Sequence, residues 1–278
     1  MNNEKKKAIC EIVDSSIKSF VNGLETRYES EIDNPNGVIN SKKYNCFIAE
    51  LGQEFMFYSA FVRSFDSSFG KVLENMGNSI AKLSYTVKGS IESYILPEQN
   101  QRISNIMNSY DNHTLPEISH YANFETIIPK DITSFRQTHQ TDNYFYNEKN
   151  GEHYIIELKA GGDLDNKKSR AEKLEMLKEY YLLKNLLRDT PEQKVYIYFA
   201  TAYNRFGEGN IWKQERVKQF FAESELLIGR DYWNFVCDDE EGFNIVFSQY
   251  KKSSKYIKQA LINIKAMYFK GDEIVRSY

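Results

Sequence analysis

The segment that most constrains this fold is His153-Tyr-Ile-Ile-Glu-Leu-Lys-Ala160, a β-type run carrying two charges where a buried strand should be apolar. Side chains on a strand alternate faces, so Glu157 and Lys159 share one face and Ile156 and Leu158 the other. Desolvating a carboxylate and an ammonium together is costly and implies a task for the pair. Upstream, Thr141-Asp-Asn-Tyr-Phe-Tyr146 also reads as a strand, with a turn at Asn147-Glu-Lys-Asn-Gly151 between the two. The resulting β-hairpin places Asp142 near Glu157 and Lys159.

The rest of the chain supplies an α/β frame. Apolar residues at three- and four-residue steps (Val13, Ile17, Phe20, Val21, Leu24) predict a helix over about 4–25, and Tyr44, Phe47, Ile48, Leu51 and Phe55 predict another over 41–62. Asp66 or Ser67 reads as the N-cap of a third helix to about 83, which carries Glu74 beside its apolar stripe. The region 85–116 has no clear period. A strand is expected over 118–128, a loop over 130–140, a helix to about 188 after Gly161-Gly162, and a strand at Lys194–Ala200. Strand, helix, strand in that order favours a parallel crossover. Helices are expected at 213–223 and 253–270. The whole reads as a single domain over 1–278, with a helical region 1–62, a core 63–202 and a C-terminal region 203–278.

Composition narrows the class without deciding it. A 41% hydrophobic content supports a real core, and a net charge of −3 gives no global nucleic-acid signature, although a local basic cleft is all that binding needs. Cys10, Cys46 and Cys237 are far apart and form no C-x-x-C, so neither a disulfide framework nor a zinc ribbon is indicated. No apolar run reaches membrane-spanning length and the N-terminus lacks a secretory signal, so a cytoplasmic protein is expected. His113, His120, His139 and His153 show no metal-ligand spacing, and Asp238-Asp-Glu-Glu241 reads as a solvated patch.

An Asp followed by Glu-x-Lys on adjacent strands is the PD-(D/E)xK nuclease pattern. Phosphodiester hydrolysis needs an attacking water, neutralised phosphate charge and a stabilised leaving oxygen. A hard divalent ion prefers oxygen ligands and supplies much of this. Asp142, Glu157 and the backbone carbonyl of Leu158 are the candidate ligands, with Glu74 as a further carboxylate. Lys159 is a cation able to orient water and stabilise developing charge. A rival for the Asp is Asp131, because Thr141 rather than Pro precedes Asp142.

Phe61-Val-Arg-Ser-Phe-Asp-Ser-Ser-Phe-Gly70 resembles the N-terminal signature of several type II restriction endonucleases. Glu157-Leu-Lys-Ala-Gly-Gly-Asp-Leu-Asp-Asn-Lys-Lys168, Phe199-Ala-Thr-Ala-Tyr-Asn-Arg-Phe-Gly-Glu-Gly209 and Leu227-Ile-Gly-Arg-Asp-Tyr-Trp233 resemble the TdeIII-type family of these enzymes. The resemblance implies a restriction-endonuclease-like core, a central mixed sheet flanked by helices, with extra N- and C-terminal helices. It implies a Mg²⁺-dependent homodimer that cuts double-stranded DNA at a short palindrome, for which members of that family suggest a GGNCC type, and that pairs functionally with a DNA methyltransferase. Candidate DNA contacts are Lys167, Lys168 and Arg170 to phosphates, and Asn204, Arg205, Lys213, Gln214 and Arg216 to bases. Two other readings compete: a repair or structure-specific nuclease of the same superfamily, and a non-catalytic DNA-binding module in which Glu157 and Lys159 are only a structural pair.

Overall fold

The computed structural model describes residues 1–123 and 136–269, with Arg136 and Asp142 described by backbone alone. In chain order the elements are α1 (Asn3–Glu31), a 3-10 turn (Asn40–Tyr44), α2 (Cys46–Ala49), α3 (Gln53–Ala81), β1 (Thr86–Tyr94), α4 (Pro97–Asp111), α5 (Ser119–Ala122), β2 (Arg136–Asn147), β3 (Glu152–Lys159), α6 (Asn166–Leu186), β4 (Lys194–Thr201), α7 (Glu215–Lys218), a 3-10 turn (Glu223–Glu225), β5 (Leu226–Ile228), α8 (Arg230–Cys237) and α9 (Gly242–Phe269). They form two compact units: residues 1–76 with 244 onward, and residues 77–243.

The first unit is helical. In α1, Ile9, Val13, Ile17, Phe20, Leu24 and Tyr28 fall on one buried stripe, and Asn2 caps the start by accepting from the Lys5 amide at 2.8 Å. On α3, Phe57, Phe61, Phe65 and Phe69 recur every four residues and stack at 5.3, 6.0 and 5.6 Å between successive ring centroids. Phe20 packs on Phe65 and Phe69 at 5.5 Å. The spacing had predicted one helix to 62 and a second capped at Asp66 or Ser67. Instead α3 runs through both residues unbroken, because the Phe ladder continues across them.

The second unit is the α/β part. Among the described residues its five strands lie in the order β1-β2-β3-β4-β5. β1, β2 and β3 pair antiparallel, while β3, β4 and β5 pair parallel, so the sheet is mixed. The β3–α6–β4 crossover expected from the sequence is present. One sheet face packs Ile155, Ile197 and Phe199 with Leu177, Tyr181 and Met176 of α6. The other carries an aromatic cluster, with Tyr154 5.5 Å from Tyr196 and 4.9 Å from Phe235 of α8.

Several expectations are corrected. The edge strand lies at 86–94, and Pro97 opens α4 rather than breaking it, since proline suits a first helical turn. Residues 119–122 are a helical turn where a strand was expected, and the remainder of that stretch, 124–128, lies outside the described residues, as does Asp131. β2 begins at Arg136, inside the expected loop; the helix expected at 213–223 is only α7; and the last helix starts at Gly242.

Candidate active site

The hairpin predicted to carry the chemistry is present. β2 and β3 pair from Asn147↔Glu152 to Tyr144↔Ile155. Continuing that register by two residues brings the backbone of Asp142 opposite Glu157. The ladder changes character here. On the β1 side, Lys88 pairs with Tyr144 and Ser90 with Gln140, so Gly89 alone faces the run Thr141-Asp142-Asn143. A bulge of this kind bends a strand and re-aims its side chains, and bulges gather beside active sites.

Glu157 and Lys159 share a face of β3 and are in direct ion-pair contact. Lys159 Nζ also reaches the Glu172 carboxylate of α6 at 2.9 Å. The ammonium therefore sits between two carboxylates, all three side chains being 16–31% exposed. Burial alone would favour the neutral amine, but Glu157 and Glu172 outweigh it and raise the Lys159 pKa above its ordinary value, so it stands as a cation. Sequence reading missed Glu172. The only signal for it was a carboxylate on the second turn of the crossover helix, which no period distinguishes from a solvated glutamate.

Among the described residues no group of three His, Cys, Asp or Glu side chains is arranged as a metal cage. Beside the bulge, Thr141 Oγ1 and Asn143 Oδ1 are buried with no hydrogen-bond partner, but Asn143 stands opposite Ile156, on the sheet face away from Glu157 and Lys159. Asn143 Nδ2 donates to the Ile156 carbonyl at 3.2 Å, so that carbonyl faces the β2 side. Backbone groups of alternate strand residues point to the same edge, which turns the Leu158 carbonyl towards the Asp142 strand as well. The donor types of Asp142, Glu157 and the Leu158 carbonyl are the oxygen ligands that a hard divalent cation prefers. Glu74 stands on α3, in the helical unit.

The candidate DNA contacts divide. Lys167 and Lys168 are exposed on the first turn of α6, where Asp165 caps the helix by accepting from the Lys168 amide at 2.8 Å. Lys213 and Arg216 are exposed as well. Arg170 is engaged with Asp111 at 2.9 Å. Arg205 is ion-paired with Asp163, and Gln214 donates to the same carboxylate at 3.1 Å and to the Gly162 carbonyl at 3.3 Å. These bonds fasten the 203–214 loop to the segment just after Lys159. Asn204 is buried; its amide donates to the Asn210 carbonyl at 2.7 Å and accepts from the Phe206 amide at 2.9 Å. In this conformation it shapes the loop rather than presenting itself to a base. Gly162 makes the turn, with φ of +65° and Thr201 and Trp212 packed against its hydrogen-only face.

Comparison with known proteins agrees with this architecture. A search of curated proteins found no match. Residues 5–254 match the family described as "Type II restriction endonuclease, HinfI". The resemblance to type II restriction endonucleases is thereby borne out, while the match does not speak for the TdeIII type in particular. The chain belongs to the HinfI family of type II restriction endonucleases, and it is a restriction deoxyribonuclease with the mixed-sheet fold of that class.

Proposed function

We propose that this endonuclease hydrolyses phosphodiester bonds at the Asp142–Glu157–Lys159 hairpin with Mg²⁺ as cofactor. The observation that carries the reading is the half-buried Lys159 ammonium clamped by Glu157 beside the bulge at Asp142. Asp142, Glu157 and the Leu158 carbonyl would hold the ion. Glu74 as a further ligand is carried by the sequence alone. When bound, a divalent cation neutralises phosphate charge and makes a coordinated water more acidic. Lys159 orients the attacking water and meets the negative charge that develops on the phosphoryl oxygens. Exposed Lys167, Lys168, Lys213 and Arg216 contact phosphates or bases, and Arg170, Arg205, Gln214 and Asn204 position the segments around them.

The enzyme is read as a cytoplasmic homodimer acting on a short palindrome, protected by a partner methyltransferase, with 1–278 working as one endonuclease domain. No helix among the described residues is long and apolar enough to cross a membrane. A GGNCC-type site rests only on the TdeIII resemblance. The test is digestion of unmethylated plasmid and phage DNA with Mg²⁺ or with EDTA, followed by sequencing of the ends. Discrete Mg²⁺-dependent bands with one shared end sequence support the reading and give the site. A smear, or cutting confined to branched or damaged DNA, favours a repair-type nuclease instead.

A further inference from the structure

The helical unit contains a cleft that the catalytic reading does not use. It measures about 340 Å³ and is lined by Arg27 of α1, Lys42 of the 3-10 turn, and Arg63, Ser64, Ser67 and Ser68 of α3. No carboxylate lines it. Arg27 uses its Nε on Glu31 at 2.9 Å, and the other oxygen of Glu31 accepts from the Val38 amide at 3.2 Å. That leaves the terminal nitrogens of Arg27 as uncommitted donors. Lys42 and Arg63 have no ion-pair partner among the described residues. Asp66, three residues from Arg63, does not line the cleft. Ser64 lines the cleft with its hydroxyl beside that of Tyr28.

Three cations converging on one hollow repel one another. An anion rich in acceptor oxygens removes that cost. Arg63, Ser64, Ser67 and Ser68 are the polar half of the Phe61–Gly70 signature, whose aromatic half, Phe61, Phe65 and Phe69, builds the packed ladder. Arg27 and Ser68 also line an adjoining cleft of about 520 Å³, so the polar track extends along α1.

We infer that this cleft binds a phosphodiester of the DNA backbone, giving the helical unit a sequence-independent grip on the substrate. The inference rests on DNA being the substrate of this family, not on the catalytic assignment of Glu157 and Lys159. Phosphate contacts of this kind fix position and supply salt-dependent affinity.

The test measures duplex binding in EDTA across a salt series with the Glu157→Ala protein, so that cleavage plays no part. Each lost phosphate contact flattens the slope of log affinity against log salt by about 1. Lys42→Gln and Arg63→Gln are each expected to do so, the double variant by about 2, with unchanged melting temperature. Ser67→Glu, which adds a charge at the cleft, is expected to weaken binding further. Lys149→Gln, in the exposed β2–β3 turn, serves as the charge-matched control and leaves the slope unchanged. A double variant with the wild-type slope overturns the proposal. A parallel titration with inorganic phosphate separates the sources: phosphate binding that Arg63→Gln abolishes, with an unchanged DNA slope, assigns the cleft to a free anion and likewise overturns it.

Discussion

Lys173→Met removes the one ammonium that is fully enclosed among the described residues, and its cost follows from the surroundings. Lys173 is 0% and Glu225 1% exposed, and the two are in ion-pair contact. Glu225 also accepts from the Tyr121 hydroxyl and from the Ala222 amide, both at 2.7 Å. Lys173 lies 5.0 Å from the ring centres of both Tyr121 and Phe221. Burial draws the Lys173 pKa below its ordinary value, and the Glu225 carboxylate opposes that shift. Taking away one partner leaves a buried charge with only neutral donors, a loss of about 3–5 kcal/mol, whereas replacing both members of such a pair is often close to neutral. Urea unfolding of Lys173→Met, Glu225→Gln and the double variant therefore gives a coupling of at least about 2 kcal/mol, the double being more stable than the Lys173 single. By contrast Asp111→Asn, which breaks the 38%-exposed pair with Arg170, costs under about 1 kcal/mol. A Lys173→Met loss below about 1 kcal/mol, or strict additivity in the double, would refute the reasoning. The consequence reaches the proposed active site, because Lys173 pins the turn of α6 from which Glu172 extends to Lys159.

Three further outcomes are expected. Glu172→Ala lowers the single-turnover cleavage rate by roughly 10²-fold, since a misplaced Lys159 is enough for such a loss; Glu172→Gln retains more activity, and DNA affinity stays unchanged in both, so a wild-type rate in the alanine variant excludes the positioning role. Gly162→Ala destabilises by about 2–4 kcal/mol, because φ is +65° and the new Cβ would lie 2.6 Å from Thr201 Cγ2; an unchanged urea midpoint contradicts this. Burial holds the His153 imidazole below its usual pKa of 6.5, against a hydrogen bond with Gln193 that favours the charged form. The folded protein then binds fewer protons than the unfolded chain, so this stability is present above 6.5 and drains away as pH falls below it. His153→Gln is expected to lose less stability than wild type between about pH 7.5 and pH 5.5, and equal losses argue against it.

How much of this was legible in the sequence depends on how local each signal was. The β2–β3 hairpin and the crossover to β4 were readable because alternation, a polar turn and a β-branched run are local features. The Phe57–Phe69 ladder was locally readable too, but Asp66 and Ser67 on its far side read as a cap when they lie on the solvated face of one helix. β1 was missed because Thr86–Tyr94 presents mostly exposed polar side chains and owes its form to pairing with β2. Glu172 and the cleft of Arg27, Lys42 and Arg63 are assembled from separate elements, and no spacing rule announces them. The engagement of Asn204 within its own loop was invisible for the same reason: an Asn in a glycine-rich segment reads alike whether it faces a base or a backbone carbonyl.

The most direct measurement of the central claim is single-turnover cleavage of a cognate duplex by Glu157→Ala and Lys159→Ala, with DNA affinity and folding measured on the same preparations. The account predicts folded proteins that bind DNA as wild type does but cleave at least about 10²–10³-fold more slowly. Cleavage at the wild-type rate by either variant would contradict it and move the active site away from the β2–β3 hairpin.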